Sequence, residues 1–275
     1  MAGFFGLFNY SKPGPGVRKD EPKRSRFVQF FVLTQRKFWK LIQLNLLYIL
    51  FCIPIVTIGP ATSAMVYMLR QFATERPIFL FSDFWDAFKL NFKQSFIYSI
   101  IWALGMGIFG TAILFYWQNG VSNIWMYIPL GICIMILVLS TMANFYINLM
   151  IVTLDLKLTA IIKNGFLLSI LCLKTNLISL LIYVVFWVLI VLFFPITLFV
   201  LLFLGFSFMR FVTVYNAYPG IKKYAIDPYL KSLEEGDDED GSGKEGEADA
   251  DDVVFQDEYE AEAKKEAFLK GRNDE

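Results

Sequence analysis

Three long stretches without a charged residue constrain this chain more than any other feature of its sequence. They cover residues 41–69, 94–154 and 175–209, and they contain about 29, 61 and 35 residues. A helix needs about 20 predominantly apolar residues to cross the hydrocarbon core of a bilayer. The three stretches are therefore long enough for membrane-spanning helices, and they predict a multi-pass membrane protein.

Residues that interrupt helices divide each stretch. Gly59 and Pro60 stand in the first stretch, Asn119 and Gly120 in the second, and Pro195 in the third. Glycine frees the backbone and proline removes an amide donor, so both break helices. The pattern predicts an all-α, polytopic membrane helix bundle of about six transmembrane helices, arranged as three hairpins. The predicted spans are residues 41–58, 60–75, 95–117, 125–152, 177–194 and 196–214. The second span is the least apolar, and a re-entrant or steeply tilted segment is its alternative.

The positions of lysine and arginine predict the orientation. All 20 basic residues before Glu234 lie in residues 12–40, 70–93, 157–174 and 210–231. Cytoplasmic loops of membrane proteins are enriched in lysine and arginine. Six spans with cytoplasmic N and C termini place all of these residues on the inner side of the cell membrane. A five-span fold would send the N-terminal arm or the C-terminal segment outward.

The formal net charge of zero hides an opposition along the chain. Residues 234–275 hold 18 acidic and 5 basic residues, whereas residues 1–233 hold 7 acidic and 20 basic residues. The start of the acidic tail has almost no apolar residues and cannot bury enough surface to fold alone. The predicted organisation is a cytoplasmic basic N-terminal arm (1–26), a membrane domain (27–225), an acidic disordered linker (226–252) and a short cytoplasmic helix or tail (253–275). The last segment is expected either to dock on the basic inner face or a partner, or to act only as a solubilising tail.

The side-chain inventory excludes several kinds of chemistry. The chain contains no histidine, which excludes His-ligated metal sites and His-based triads. The three cysteines lie far apart within apolar runs, as buried small hydrophobic residues do. Asp83 and Asp86 form the only close carboxylate pair of the membrane domain, and Lys89 follows one turn later, which is typical of a solvated helix face. We therefore expect no catalytic residues, no metal and no cofactor.

Aromatic residues at helical spacing predict an amphipathic helix at the inner membrane surface. Phenylalanines recur every four residues in residues 83–94, and aspartates and lysines take the other side. A helix of this kind lies in the interface, and Ser82 or Asp83 is the expected N-cap. Residues 27–40 and 155–174 show related patterns. The aromatic face of the interfacial helix comprises Phe84, Trp85, Phe88 and Phe92.

Three asparagines suggest an internal repeat. Asn45, Asn91 and Asn176 each stand where an amphipathic helix leads into a predicted hairpin. A short amide can satisfy backbone groups at membrane depth, so each is expected to cap or kink its junction. The alternative is a chance spacing.

A second group of polar residues lies within the fourth predicted span. Its members share or adjoin one helical face, because they are spaced by about one turn. The face is expected either to hydrogen-bond neighbouring helices or to bind a neutral sugar or a lipid headgroup. Arg70 and Arg210 stand at the inner ends of predicted spans, where arginines usually reach the headgroups. The polar face comprises Ser140, Thr141, Asn144 and Asn148.

The blocks Gly6–Val17, Phe38–Ile42 with Cys52–Thr62, and Ser82–Lys89 carry a family resemblance. They resemble the YesL-like family of bacterial integral membrane proteins, a domain of unknown function, over roughly residues 4–225. The resemblance implies a protein of Gram-positive bacteria whose genes commonly accompany carbohydrate-uptake transporters and polysaccharide-degrading enzymes. It implies no catalytic residues.

The expected function is a non-enzymatic accessory or regulatory role in carbohydrate uptake or utilisation through protein–protein contacts. The partners are the lipid bilayer and the membrane subunits of a carbohydrate ABC transporter or sensor, and no nucleic acid. Small residues at Gly105, Gly107 and Gly110 favour close helix approach, either to a partner or within the bundle. The alternative is a direct small-molecule or sugar permease with an uncharged site near Asn144 and Asn148.

Overall fold

The computed structural model describes residues 25–120 and 123–228, together with the backbone of residues 254–255. Most of the predicted basic arm, acidic linker and tail lies outside the described residues. The chain divides into two compact units, residues 1–36 and 37–275. In the first unit the structure describes one amphipathic helix, α1 (Arg26–Arg36), in which the rings of Phe27 and Phe31 are 4.9 Å apart.

The second unit is almost entirely helical over the described residues. Short 3-10 turns precede two of its helices, at Ile55–Thr57 and Ile124–Met126. Its α-helices are α2 (Phe38–Cys52), α3 (Ile58–Ala73), α4 (Leu80–Leu90), α5 (Phe92–Gly120), α6 (Tyr127–Ile151), α7 (Leu158–Leu171), α8 (Leu173–Leu192), α9 (Thr197–Val200) and α10 (Phe206–Ile221).

Four of the described helical segments are long and apolar enough to cross a membrane. They are Phe92–Gly120, Ile124–Ile151, Leu173–Leu192 and Thr197–Ile226. They coincide with the last four predicted spans, and the turn between the last two contains Pro195. The long stretches without charge therefore identify the principal apolar helices, and the fold is all-α.

The helices found in the first two predicted spans are shorter than predicted. Helices α2 and α3 have 15 and 16 residues, which at 1.5 Å per residue reach about 22 and 24 Å, short of the roughly 30 Å hydrocarbon core. The described residues therefore contain four helices of spanning length, where the sequence predicts six. The turn also lies earlier than expected, because Pro60 falls in the first turn of α3, where a proline is tolerated.

Helix α3 is the central helix of the second unit. It packs against α2, α4, α5, α6 and α10, and most of its side chains are buried. Ser95 of α5 donates a hydrogen bond to the hydroxyl of Ser63 at 2.6 Å. A Cβ on Gly59 would lie 2.6 Å from the carbonyl oxygen of Ser95, so this glycine allows the two backbones to meet.

Three times along the chain, a short helix is separated from the next helix by a single residue. These residues are Lys37, Asn91 and Cys172, and their φ values are −101°, −95° and −101°. Their ψ values are 9°, 6° and 30°, which end one helix without opening a loop. The order of short helix, break and longer helix thus recurs, whereas a structural repeat of the three units stays a prediction.

The last long helix is not uniform. Between α9 and α10, and again after α10, the backbone forms π-helical segments at Leu201–Gly205 and Lys222–Ile226. Such segments often occur at functional sites in helices. The helix follows a turn with a cis Phe194–Pro195 peptide bond.

One contact brings the C-terminal tail to the body of the second unit. Leu154–Asp155, between α6 and α7, forms a two-residue strand, β1, that pairs antiparallel with β2 (Val254–Phe255). Residues 254–255 belong to the segment for which a short helix is predicted, and they are extended instead. Pairing with β1 supplies them with backbone partners that a marginal helix would otherwise provide.

Candidate functional site

The predicted interfacial helix is α4, and its aromatic face contacts α2. Phe84 and Phe88 are buried, and each ring centroid lies 5.1 Å from that of Phe51. Trp85 is exposed and stacks on Phe88 at 5.5 Å. Phe92 is also exposed and begins α5, where its ring meets Phe88 at 5.5 Å. The aromatic face therefore anchors α4 to the end of α2.

The polar side of α4 makes local contacts. Lys89 forms an ion pair with Asp86 at 3.3 Å, and both side chains are exposed. The helix begins at Leu80 rather than after Ser82 or Asp83. The Asp83 carboxylate instead accepts a hydrogen bond from the backbone amide of Phe79 at 2.9 Å. It thus satisfies a free amide at the helix start from inside the helix.

Two members of the predicted polar face are used in internal hydrogen bonds. The Oδ1 atom of Asn144 accepts from the hydroxyl of Tyr98 at 2.8 Å and from Nδ2 of Asn148 at 2.6 Å. Nδ2 of Asn148 also donates to the carbonyl oxygen of Asn144 at 2.9 Å. All three side chains are buried. This cluster ties α5 to α6, and its amides are directed at protein groups.

The other two members of the polar face lie one turn away and are half-buried. Thr141 donates to the carbonyl oxygen of Leu137 within its own helix at 2.8 Å. Ser140 lines a cavity of about 150 Å³ between α5, α6 and α7, with Trp102, Phe109 and Phe166 among its walls. The structure thus separates the four residues into a buried hydrogen-bonded pair and a pair beside a mostly apolar cavity.

Asn91 and Asn176 lie at or just after single-residue breaks, and the side-chain amide of each donates to a backbone carbonyl oxygen earlier in the chain. Nδ2 of Asn91 donates to the carbonyl oxygen of Ala87 at 3.0 Å. Nδ2 of Asn176 reaches the carbonyl oxygen of Ser169 at 2.8 Å, and its Oδ1 accepts from Tyr146 at 2.7 Å. Each side chain satisfies a carbonyl group near the end of the preceding helix.

Asn45 does not lie at a junction, in contrast to the prediction. It is buried within α2, eight residues after Lys37, and its side chain faces the first π-helical segment. Nδ2 donates to the carbonyl oxygens of Leu201 and Leu202 at 2.9 and 2.7 Å, and Oδ1 accepts from the amide of Ser207 at 2.8 Å. A π segment leaves backbone groups without their usual helical partners, and Asn45 supplies them from another helix.

Three glycines in the middle of α5 differ from Gly59. A Cβ added to Gly105, Gly107 or Gly110 would meet no atom within 4 Å. Gly107 is exposed, as are Ala103 and Thr111 one turn to either side. Internal packing therefore does not explain these small residues, and α5 presents a small-residue face outside the helix bundle.

The two arginines of the predicted spans are not equivalent. Arg70 is buried, and its guanidinium lies 5.4 Å from the ring centroid of Tyr67. Arg210 lies within the helix Thr197–Ile226 rather than at its end. It lines a cavity of about 170 Å³ with Tyr48, Trp187 and other aromatic residues. No local sequence pattern identifies this cavity, because its walls come from four separate helices.

These features define a class of protein. Four long apolar helices make the chain an all-helical protein suited to insertion into a membrane. The model of a family described as "Protein of unknown function, DUF624" matches residues 41–112, from α2 to the first two-thirds of α5. The chain is similar to that family over this region. No curated protein and no solved structure matches the chain.

Proposed function

We propose that this chain is a non-enzymatic accessory or regulatory membrane protein of carbohydrate uptake, which acts by binding the membrane subunits of a transporter or sensor. The observation that carries the proposal is the small-residue face of α5. Ala103, Gly107 and Thr111 are spaced by four residues and are exposed. This spacing allows close approach between membrane helices.

The small-residue face is accessible to a partner because the second half of α5 has few neighbouring side chains. Most side chains from Ile101 to Asn119 are exposed or half-buried. Thr111 donates to the carbonyl oxygens of Gly107 and Ile108 at 3.0 Å, so its hydroxyl is satisfied within α5. A partner helix would therefore meet a smooth surface that requires no polar partner.

The link to carbohydrate uptake comes from the family resemblance. The DUF624 match at residues 41–112 covers most of two of the three blocks that resemble the YesL-like family. We propose membership of that family, and with it an origin in a Gram-positive bacterium. Neighbouring transporter genes are an association and supply no mechanism.

A permease with an uncharged site is supported less well. Asn144 and Asn148 direct their amides at each other and at Tyr98, so a sugar would have to displace these bonds. The cavity beside Ser140 is the only feature in this region of α5, α6 and α7 that favours the alternative.

The topology follows from the short α2 and α3. Ile53, Ile55 and Val56 between them are exposed and apolar, which suits hydrocarbon better than water. We propose that α2 and α3 form a shallow hairpin beside four crossings, with both termini cytoplasmic. Six full crossings give the same placement of the termini, so both versions agree with the positions of lysine and arginine.

Recovery of partners from native membranes in a mild detergent tests the proposed function. The Gly107→Leu variant fills the small-residue face without any internal clash. The Gly131→Leu variant is the matched control, since a Cβ at Gly131 in α6 also meets open space. Transporter or sensor subunits should co-purify with the wild type and with Gly131→Leu, and be largely lost with Gly107→Leu. Equal recovery with both variants, or sugar uptake by the purified protein alone in liposomes, would contradict the proposal.

A further inference from the structure

An arginine inside the last long helix carries an inference that does not depend on the accessory role. Arg210 lies thirteen residues after Thr197 and sixteen before Ile226 in that 30-residue helix. At 1.5 Å per residue, it is about 20 Å and 24 Å from the two ends. Charged residues within spanning segments are costly, and they usually mark functional sites.

Arg210 is not neutralised within the described part of the chain. Its guanidinium has no hydrogen bond and no ion pair with any described residue. The hydrogen bond from the Thr213 hydroxyl, at 2.8 Å, goes to the backbone carbonyl oxygen of Arg210 and not to its side chain. The cavity that it lines contains no acidic residue. The positive charge of Arg210 therefore borders a cavity whose lining residues carry no negative charge.

The walls of this cavity, here called the Arg210 cavity, are largely aromatic. They come from α2, α3, α8 and the start of α10, with Gly205 at the end of the π segment. The Tyr48 hydroxyl lies 3.3 Å from that of Thr62. The principal lining residues are Tyr48, Met65, Tyr183, Trp187, Phe206 and Arg210.

We propose that the Arg210 cavity binds the phosphate group of a glycerophosphate-type ligand. A guanidinium presents five donors in a planar fork that matches phosphate oxygens. The aromatic walls provide contact for the attached carbon atoms, and Tyr48 adds a hydroxyl-bearing side chain to the same cavity. The volume of about 170 Å³ holds a headgroup-sized fragment but not acyl chains, which would have to remain in the bilayer.

Two sources of this chemistry are tested separately with the purified full chain. One probe is phosphatidylglycerol, titrated into nanodiscs of phosphatidylcholine that contain the protein. The other is soluble glycerol 3-phosphate, added to the protein in an uncharged detergent. Binding of the first probe alone identifies a lipid headgroup site, and binding of the second identifies a site for small soluble phosphate esters.

The variants test whether Arg210 holds the phosphate. Arg210→Gln should weaken binding of the active probe by about tenfold or more, since the charged donor of the phosphate contact is removed. Arg210→Lys should restore only part of the affinity, because lysine keeps the charge but not the fork. Lys222→Gln removes an exposed cation outside the cavity and should change the affinity less than about twofold.

The arginine variants should elute from size-exclusion chromatography in the same detergent as the wild type does, which guards against misfolding, and the fluorescence of Trp187 reports whether the probe enters the cavity. The active probe should change the tryptophan fluorescence of the wild type, and Trp187→Phe should lose most of that change. Binding of neither probe to the wild type, or equal affinity of the wild type and Arg210→Gln, would overturn the proposal. Loss of partner recovery in the Gly107→Leu experiment would not bear on this result.

Discussion

Asn45 and Leu202 are joined by a hydrogen bond of 2.7 Å between the Nδ2 atom of one and the carbonyl oxygen of the other. The bond connects α2 with the π-helical segment that precedes α10, 157 residues later in the chain. The same side chain also bonds Leu201 and the amide of Ser207. One amide thus holds an irregular backbone segment that has no water available at membrane depth.

Replacement of this amide should destabilise the fold. Asn45→Leu removes three hydrogen bonds and keeps a similar volume, so we expect a loss of about 1–3 kcal/mol. The measurement is the midpoint of thermal unfolding in detergent. Asn119→Leu is the matched control, because Asn119 is exposed and its side chain donates to the carbonyl oxygen of Phe115 within its own helix. An equal effect of the two substitutions would show that the π segment does not depend on Asn45.

The Tyr98–Asn144 contact gives a second prediction. Tyr98→Phe removes the hydroxyl that donates to Asn144 and should cost about 0.5–2 kcal/mol. Tyr116→Phe, in the same helix and half-buried, is the control and should be close to neutral. In a double-mutant cycle with Asn144→Ala, the two losses should be less than additive. Additive losses would mean that the two residues do not interact.

Glycines of the same helix bundle should respond to alanine in opposite directions. Gly59→Ala places a methyl group 2.6 Å from the Ser95 carbonyl oxygen, so it should force α3 away from α5 and destabilise the fold by about 1–3 kcal/mol. Gly107→Ala meets open space and should be neutral or stabilising by up to about 1 kcal/mol, because alanine favours helix. The midpoints of thermal unfolding of the two variants, compared with the wild type, measure these changes in stability. Similar destabilisation of both would mean that Gly107 is packed internally.

The sequence predicts the long helices well and the first hairpin poorly, for a physical reason. Absence of charge over 20 or more residues reflects the cost of burying charge in lipid, and it locates α5, α6 and α8 within a few residues. A proline, however, can either end a helix or stand in the first turn of the next one. Pro60 lies in the first turn of α3 instead of ending a helix, and the true turn follows Pro54.

The same limit applies to the candidate sites. The spacing of Asn144 and Asn148 places them on one face, as the helical period requires. Their partner Tyr98 lies 46 residues before Asn144, and no local pattern identifies it. The last helix also continues past Pro219, since α10 ends at Ile221 and the second π-helical segment extends it to Ile226. Arg210 therefore lies inside a helix whose predicted end was only four residues away.

The position of the first hairpin can be measured with a single cysteine. In a chain without Cys52, Cys133 and Cys172, Ile55→Cys should resist membrane-impermeant thiol reagents from either side, because the proposed shallow hairpin places its tip within the lipid. Detergent should expose it. Asn119→Cys and Lys222→Cys are the controls, which should react from the outer and inner sides respectively. Reaction of residue 55 from the outside would establish a full crossing by α2.

The acidic tail should regulate the charge of the inner face. Pairing of Val254 with Asp155 places part of the tail beside the connection between α6 and α7, and Lys157 and Lys163 follow directly. Basic residues near an anionic membrane contribute about 1 kcal/mol each, so a tail with 13 excess negative charges should compete with lipid for them. Deletion of residues 234–275 should therefore strengthen binding of the protein, held in neutral nanodiscs, to phosphatidylglycerol liposomes.

The charge of the tail, rather than its bulk, should produce this effect. A chain of full length whose tail aspartates and glutamates are replaced by asparagine and glutamine should bind as strongly as the deletion variant. The gain should vanish in high salt, since exposed charges are screened over about 3 Å at 1 M, and on phosphatidylcholine liposomes. Unchanged binding after the deletion would mean that the opposite charges of body and tail do not meet.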